Sequence, residues 1–247
     1  MRYLVLTDIH ANLEALDTCL LDARSRGYDQ TLVLGDLVGY GADPNAVVER
    51  IRSLKPMAIV RGNHDKVASG LEQAEGFNAV AKSAARWTLD VLKPEYREWL
   101  AALPAGPVEV DAIVEICHGS PFDEDAYIFD ELDAVRAIRT ATRPLCLFGH
   151  THYPVTFQLS SESFDSFGPS GAAESHVRMQ DGVKYLINPG SVGQPRDGDP
   201  RAAYAIVDVD RRCVELFRLK YHVEETQAKV IAAGLPDVLA QRLAVGR

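Results

Sequence analysis

Five histidines and several carboxylates in this chain occupy matching places, each shortly after a brief apolar run. Tyr3-Leu4-Val5-Leu6 leads to Asp8 and His10, Leu32-Val33-Leu34-Gly35 to Asp36, and Ala58-Ile59-Val60 to Asn63, His64 and Asp65. Ile113-Val114-Glu115-Ile116 leads to His118, and Leu145-Cys146-Leu147-Phe148 to His150 and His152. Imidazole nitrogens mixed with side-chain oxygens suit divalent transition metals, whereas Mg²⁺ or Ca²⁺ sites are built from oxygens. His150 and His152 are two apart on an extended segment, which turns both rings to one side. Each motif alone means little, since an Asp-x-His pair or a Gly-Asp turn is common in loops. Jointly, five of the seven histidines follow apolar runs, and that placement predicts a metal site at the carboxyl ends of strands. His176 and His222 follow no such run and read as surface residues.

The elements that must position these groups come from the same pattern. The apolar runs have the length and composition of strands buried on both faces. Leu13, Leu16, Leu20 and Ala23 form a helical stripe within Ala11–Arg26, with Asn12 in its opening turn and Gly27 at its end. Asp43-Pro44 opens a second helix whose buried face is Val47, Val48, Ile51 and Leu54. Strand, helix, strand, helix, strand implies a parallel sheet with crossover helices. Residues 70–104 break that rhythm with an amphipathic helix through Phe77, Val80, Ala81, Ala84, Trp87 and Val91, then a shorter one opened by Pro94. This predicts a helical insertion that packs on a flank or walls the site. A helix over Glu131–Thr140 follows. After Pro154, alternation in Val155–Leu159, Ala203–Val209 and Val214–Leu219 predicts antiparallel strands. Ser160–Ser175 reads as a surface loop, and Glu224–Val245 as one or two helices broken at Gly234-Leu235-Pro236.

With 247 residues, 47% hydrophobic and 25% charged, the chain is expected to form one α/β domain, 1–247, with a substantial core. A net charge of −9 argues against a nuclease that grips long nucleic acid through a basic surface. The first strand begins at Tyr3, no apolar run approaches a membrane span, and the four cysteines lack any Cys-x-x-Cys pairing. The expectation is a cytoplasmic protein with reduced, structural cysteines and no membrane partner.

Taken in order, Asp8-x-His10, Gly35-Asp36, Gly62-Asn63-His64-Asp65, His118 and Gly149-His150-Thr151-His152 closely resemble the calcineurin-like metallophosphoesterases. The later Asn188-Pro189-Gly190-Ser191-Val192-Gly193 is similar to the small bacterial, phosphodiesterase-like branch of that family. The resemblance implies an α-β-β-α sandwich, two mixed β-sheets flanked by helices, with two divalent transition-metal ions (Mn, Fe, Zn, Ni or Co) at one edge. It assigns Asp8, His10 and His152 to one ion, Asn63, His118 and His150 to the other, and Asp36 to a bridge between them. The implied reaction is in-line attack on a phosphate ester by a hydroxide held between the ions, with small phosphodiesters or nucleotides as expected substrates. His64 matches the family's non-ligand histidine, expected to protonate the leaving oxygen; Asp65 either orients it or caps a turn.

Two further candidates rest on their own chemistry. Tyr40, in Gly39-Tyr40-Gly41, either stacks a base or merely covers the loop, and Arg196 either clamps a phosphate or is solvated in its polar loop, with Arg201 further along it. Protein phosphatases of this superfamily carry Asp-Arg-Gly where this chain has Gly39-Tyr40-Gly41, and Gly-Asn-His-Glu where it has Asp65, so that activity is not expected. Rival readings are a dinucleoside polyphosphate hydrolase and a non-catalytic scaffold of the same fold. The complete set of seven ligand matches plus His64 speaks against the scaffold.

Overall fold

The structure, a computed structural model, describes residues 1–168 and 170–247. The first apolar runs and stripes fold in alternation as β1 (Arg2–Leu6), α1 (Leu13–Arg26), β2 (Gln30–Val33), α2 (Pro44–Leu54) and β3 (Ala58–Ile59), with β1, β2 and β3 parallel. Asn12 caps α1 by accepting from the Ala15 N–H at 3.1 Å, which is the helix-turn role its position suggested. Gly62-Asn63-His64-Asp65 is a helix start, with Gly62 as the cap of α3 (Asn63–Ser69). The 70–104 stretch yields α4 (Ala79–Val91) and α5 (Pro94–Ala101); Phe77 lies ahead of the Asn78 cap and is not helical. Then come β4 (Val108–Glu109), β5 (Val114–Ile116), α6 (Glu131–Thr140), β6 (Leu145–Leu147), β7 (Val155–Leu159) and β8 (Phe164–Phe167). The chain ends with β9 (Glu174–Arg178), β10 (Lys184–Asn188), β11 (Ala202–Asp208), β12 (Cys213–Leu219), α7 (Val223–Ala232) and α8 (Asp237–Leu243).

Two six-stranded mixed sheets result, in the orders β3-β2-β1-β11-β12-β9 and β4-β5-β6-β10-β7-β8. Tyr3, Val5, Leu32, Leu34, Ile116 and Leu147 belong to the apolar layer between the sheets. Residues alternating with them face outward: Leu4, Leu6 and Val33 meet α1 and α2, while Cys146 and Phe148 meet α6. The order of layers is therefore α-β-β-α, as expected. Each leucine fully enclosed this way contributes roughly 1.5–3 kcal/mol. All four cysteines are free. Among the described residues no helix is long and apolar enough to cross a membrane.

Three differences from the sequence reading stand out. Ser160–Ser175 is not simply a loop, because Phe164–Phe167 pairs with β7 and Glu174 begins β9. Most side chains of these two strands are exposed, so no buried alternation marked them. The short β4 and the central β10 were also unread, although Tyr185-Leu186-Ile187 is an apolar run closed by Pro189-Gly190.

Candidate metal centre

The chain leaves β1, β2, β5 and β6 through sharp turns at the candidate ligands. Five of these residues have left-handed backbones: Asp8 (φ 51°), His10 (49°), Asp36 (52°), His150 (67°) and His152 (57°). Aspartate and histidine enter this region more readily than most residues, yet each such position costs about 1–2 kcal/mol. Buried hydrogen bonds hold the turns: Asp8 N–H donates to Gly35 O at 3.1 Å and His10 N–H to Asp36 O at 3.0 Å. The later Asn188–Gly193 motif is a brace for the same turns. Asn188 Nδ2 donates to Gly149 O at 2.7 Å and Ser191 Oγ to Asp8 O at 2.8 Å.

Each of the four histidines expected to be ligands is aimed by its outer nitrogen, which donates to a backbone carbonyl. His10 Nδ1 meets Val38 O at 3.1 Å, His118 Nδ1 meets Leu34 O at 2.7 Å, and His152 Nδ1 meets Gln194 O at 2.6 Å. His150 is turned the other way, with Nε2 on Asp125 O at 3.1 Å. Such outer-shell bonds fix ring orientation and leave one lone pair facing inward. Inward, His10 Nε2 and His152 Nε2 are 3.1 Å apart, as are His118 Nε2 and His150 Nδ1. Asp36 Oδ1 is held by the His64 N–H at 2.9 Å, and Oδ2 lies 3.5 Å from both His10 Nε2 and His118 Nε2. Asn63 Oδ1 is 3.3 Å from His118 Nε2, and Asp8 Oδ1 is 3.4 Å from His152 Nε2. Two groups able to hold a metal ion follow, Asp8–His10–Asp36–His152 and Asp36–His118–His150, with Asp36 common to both. The structure thus brings these residues together, with Asn63 Oδ1 beside His118. Nitrogen lone pairs converging at 3.1 Å repel unless a proton or a cation lies between them, so the donor chemistry fits divalent transition metals.

Gly62 permits this packing. A Cβ there would sit 2.1 Å from Asp36 Oδ1, so no other residue fits beside the shared carboxylate.

Electrostatics tell the same story. Burial drives the His10 and His152 pKa values well below the usual imidazole range and takes His150 to about 3, so these rings are neutral donors. Burial also disfavours charge on His118, but Asp36 and Asp8 beside it prevail and push it up to about 10. His118 and Asp36 are a buried ion pair whose proton a metal must displace.

The calcineurin-like phosphoesterase superfamily domain matches residues 1–212. The chain belongs to that family. Its members are metal-dependent phosphoester hydrolases, and this chain is an enzyme of that kind. It is 38% identical over 248 residues to an uncharacterized protein of Methanocaldococcus jannaschii, covering 98% of this chain and 97% of that protein. A metallophosphoesterase from Sphaerobacter thermophilus shares 38% identity with a TM-score of 0.87, each chain covered completely. A hypothetical protein from Pyrococcus horikoshii shares the fold at 21% identity and a TM-score of 0.78, over 100% of this chain and 98% of that one.

The remaining predicted residues divide. His64 lines a cavity of about 90 Å³ together with Asp36, Asn63, His150 and His152. Its Nδ1 is buried without a partner beside Gly39, which leaves Nε2 for the cavity. Burial lowers its pKa to about 4, with Arg196 and His118 adding to the effect against Asp36. Bound cations would lower it further, so the neutral ring can donate a hydrogen bond but holds no spare proton near pH 7. Asp65 does not serve His64. Its carboxylate accepts from the backbone N–H groups of Leu37, Val38 and Gly62 at 2.9, 3.2 and 3.0 Å, so the capping alternative describes it. Tyr40 does line the cavity, but its ring meets His10 at 4.8 Å and His64 at 4.3 Å and is only 8% exposed, which leaves no free face for a base. Arg196 lines the cavity too, whereas Arg201 is bound to Asp199 and Gly171 O and is not among the lining residues. The helical insertion does wall the site, through Gly76, Phe77, Asn78 and Ala81. Tyr127 joins it from a loop whose sequence gave no hint. A roomier cavity of about 400 Å³, lined by β7, β9 and β12 residues, contains none of the candidate ligands.

Proposed function

We propose that this chain hydrolyses small phosphate esters, phosphodiesters and nucleotide esters among them, at a pair of divalent transition-metal ions. Asp8, His10, Asp36 and His152 would hold one ion and Asp36, Asn63, His118 and His150 the other. The observation that carries the reading is Asp36 Oδ2, equidistant at 3.5 Å from an imidazole of each group. When bound, the ions supply Lewis acidity toward phosphoryl oxygens and an activated water. The protein's own part is placement. A cavity of about 90 Å³ accepts a phosphoryl group and little more, so the remainder of a substrate stays outside and its identity is loosely constrained. Arg196 faces the substrate's negative charge, and His64 donates its N–H where charge grows on the leaving oxygen. Polyphosphate chains are the weaker fit, because Arg196 is the one cationic side chain lining the cavity among the described residues. The complete donor set argues against a scaffold.

The test is metal analysis of the purified full chain, then a panel of phosphomonoesters, phosphodiesters and dinucleoside polyphosphates with added Mn²⁺. Two ions per chain and turnover of simple esters are expected. A chain that binds two ions yet hydrolyses none of the panel would sink the proposal.

A further inference from the structure

Three of the side chains that line the small cavity, Arg196, Tyr40 and Tyr127, can donate hydrogen bonds. Arg196 offers only N–H groups, and its Nε is buried without a partner. One Nη donates to Tyr40 Oη at 3.4 Å and to Gln194 Oε1 at 3.2 Å, and Tyr127 lines the same cavity. Because arginine cannot accept, the Tyr40 oxygen that meets it must be the acceptor, and its own proton is left to give elsewhere. Among the described residues neither phenol proton has an acceptor. Both tyrosines and Arg196 line the cavity beside Asp36, His150 and His152. Three donor groups therefore converge on one small space without an acceptor among them.

Tyr127 is held there with unusual care. Its loop is pinned by Arg61, whose guanidinium makes paired bonds to Glu124 at 2.9 and 3.0 Å, and by the Lys66–Asp125 ion pair. Tyr127 stacks on the His150 ring at 3.9 Å and 25°, and Phe129 stacks on Tyr127 at 5.1 Å and 8°. The two stacked rings hold the Tyr127 ring in place although 43% of the residue is exposed. Phe129 has no other evident employment. A residue just ahead of a helix cap commonly folds onto the helix's fourth residue, here Ala134. Phe129 precedes the Asp130 cap of α6, yet it remains 72% exposed while Ala134 is buried in a cluster that excludes it.

We propose that Tyr127, together with Arg196 and Tyr40, forms an oxyanion clamp that grips the phosphoryl oxygens facing away from the metal ligands, and that Phe129 is a positioning residue for Tyr127. The inference rests on the phosphoester reading of the same cavity and adds to it a substrate contact. An anion with several lone pairs, such as a phosphoryl group, satisfies all three donors at once. A neutral or singly accepting group does not.

Binding of inorganic phosphate to the metal-loaded full chain tests this directly, by calorimetry, beside metal content and thermal midpoint. Tyr127→Phe keeps the stacked ring and removes one donor. Phosphate affinity should fall about tenfold or more, as for loss of a hydrogen bond to a charged group, with metal content and midpoint unchanged. Phe129→Ala should weaken phosphate less, and Phe129→Trp should restore it. Tyr127→Phe and Arg196→Ala should combine less than additively, because the two donors act on one anion. Wild-type phosphate affinity in Tyr127→Phe overturns the clamp. So does a loss of affinity that tracks loss of an ion, since Tyr127 would then only brace His150. If Tyr127→Phe weakens phosphate as expected but the wild type hydrolyses no ester, the clamp stands and the proposed hydrolysis falls.

Discussion

The donor cluster and the rim above it are built on opposite plans. In the cluster, each imidazole is tied to a backbone carbonyl and each carboxylate to a backbone N–H, so the strands themselves dictate where ligand atoms lie. In the rim, side chains lean on side chains: Tyr127 on His150, Phe129 on Tyr127, Phe77 on His64, Arg196 on Tyr40. Backbone anchoring in a buried sheet edge gives rigidity that survives substitution nearby. Side-chain anchoring gives a surface that can be retuned one residue at a time. The difference predicts which changes abolish the chemistry and which only reshape its selectivity.

The largest effect belongs to the shared carboxylate. Asp36→Asn keeps the shape but removes the negative charge between the two donor groups. Metal content and activity should collapse together, to no measurable turnover, as read by elemental analysis and an ester assay. A variant that retained both ions would end the bridging assignment. It would also dissolve the distinction between cluster and rim, since a ligand would then be as replaceable as a rim residue.

Legibility from sequence follows the same division. The cluster was readable because each ligand sits a few residues beyond an apolar strand, so residue type and position carried the signal together. Even the left-handed turns are written locally, in Asp and His, which tolerate them. The rim was readable only in part. Arg196 and the 70–104 insertion were candidates, but Tyr127 was not, and nothing in Ala126-Tyr127-Ile128-Phe129 distinguishes a clamp from a core strand. Tyr40 lies at the site, and which of its two alternatives applies turns on packing by His10 and His64, a tertiary fact that favours the covering role. Arg201 is claimed by Asp199, only two residues away.

His64 stands at the border of the two regions, on the first turn of α3 but facing the cavity. His64→Asn should keep both ions and lose about 10²–10³ in kcat, the usual consequence of removing one donor from a developing oxyanion. The neutral state that burial imposes makes that loss similar for good and poor leaving groups. A loss confined to poor leaving groups would restore proton donation as its role.

Arg196→Ala tests the rim by charge. Loss of a charged donor amounts to about 1.5–3 kcal/mol, or roughly ten- to a hundredfold in kcat/KM. Metal content should be untouched, because Arg196 supplies no ligand and the His152 carbonyl accepts from its backbone N–H rather than its side chain. Should an ion be lost instead, the rim would be part of the cluster.

The smallest effect expected is on choice among substrates at Tyr40. If its ring stacked a base, Tyr40→Leu would penalise a nucleotide diester far more than an alkyl phosphodiester, since base stacking is worth about 1–3 kcal/mol. The structure gives the ring no face to offer, with His10 and His64 on it and only 8% of the residue exposed. What Tyr40 can contribute is its hydroxyl, through Arg196, and a hydroxyl grips the phosphoryl group that both substrates share. Tyr40→Phe should therefore lower kcat/KM for the two diesters by the same modest factor, about two- to tenfold for one hydrogen bond, leaving their ratio within about twofold. A ratio that shifted strongly against the nucleotide would mean that the rim rearranges to free an aromatic face when substrate enters. Its side-chain-on-side-chain construction would then be a device for motion as well as for tuning.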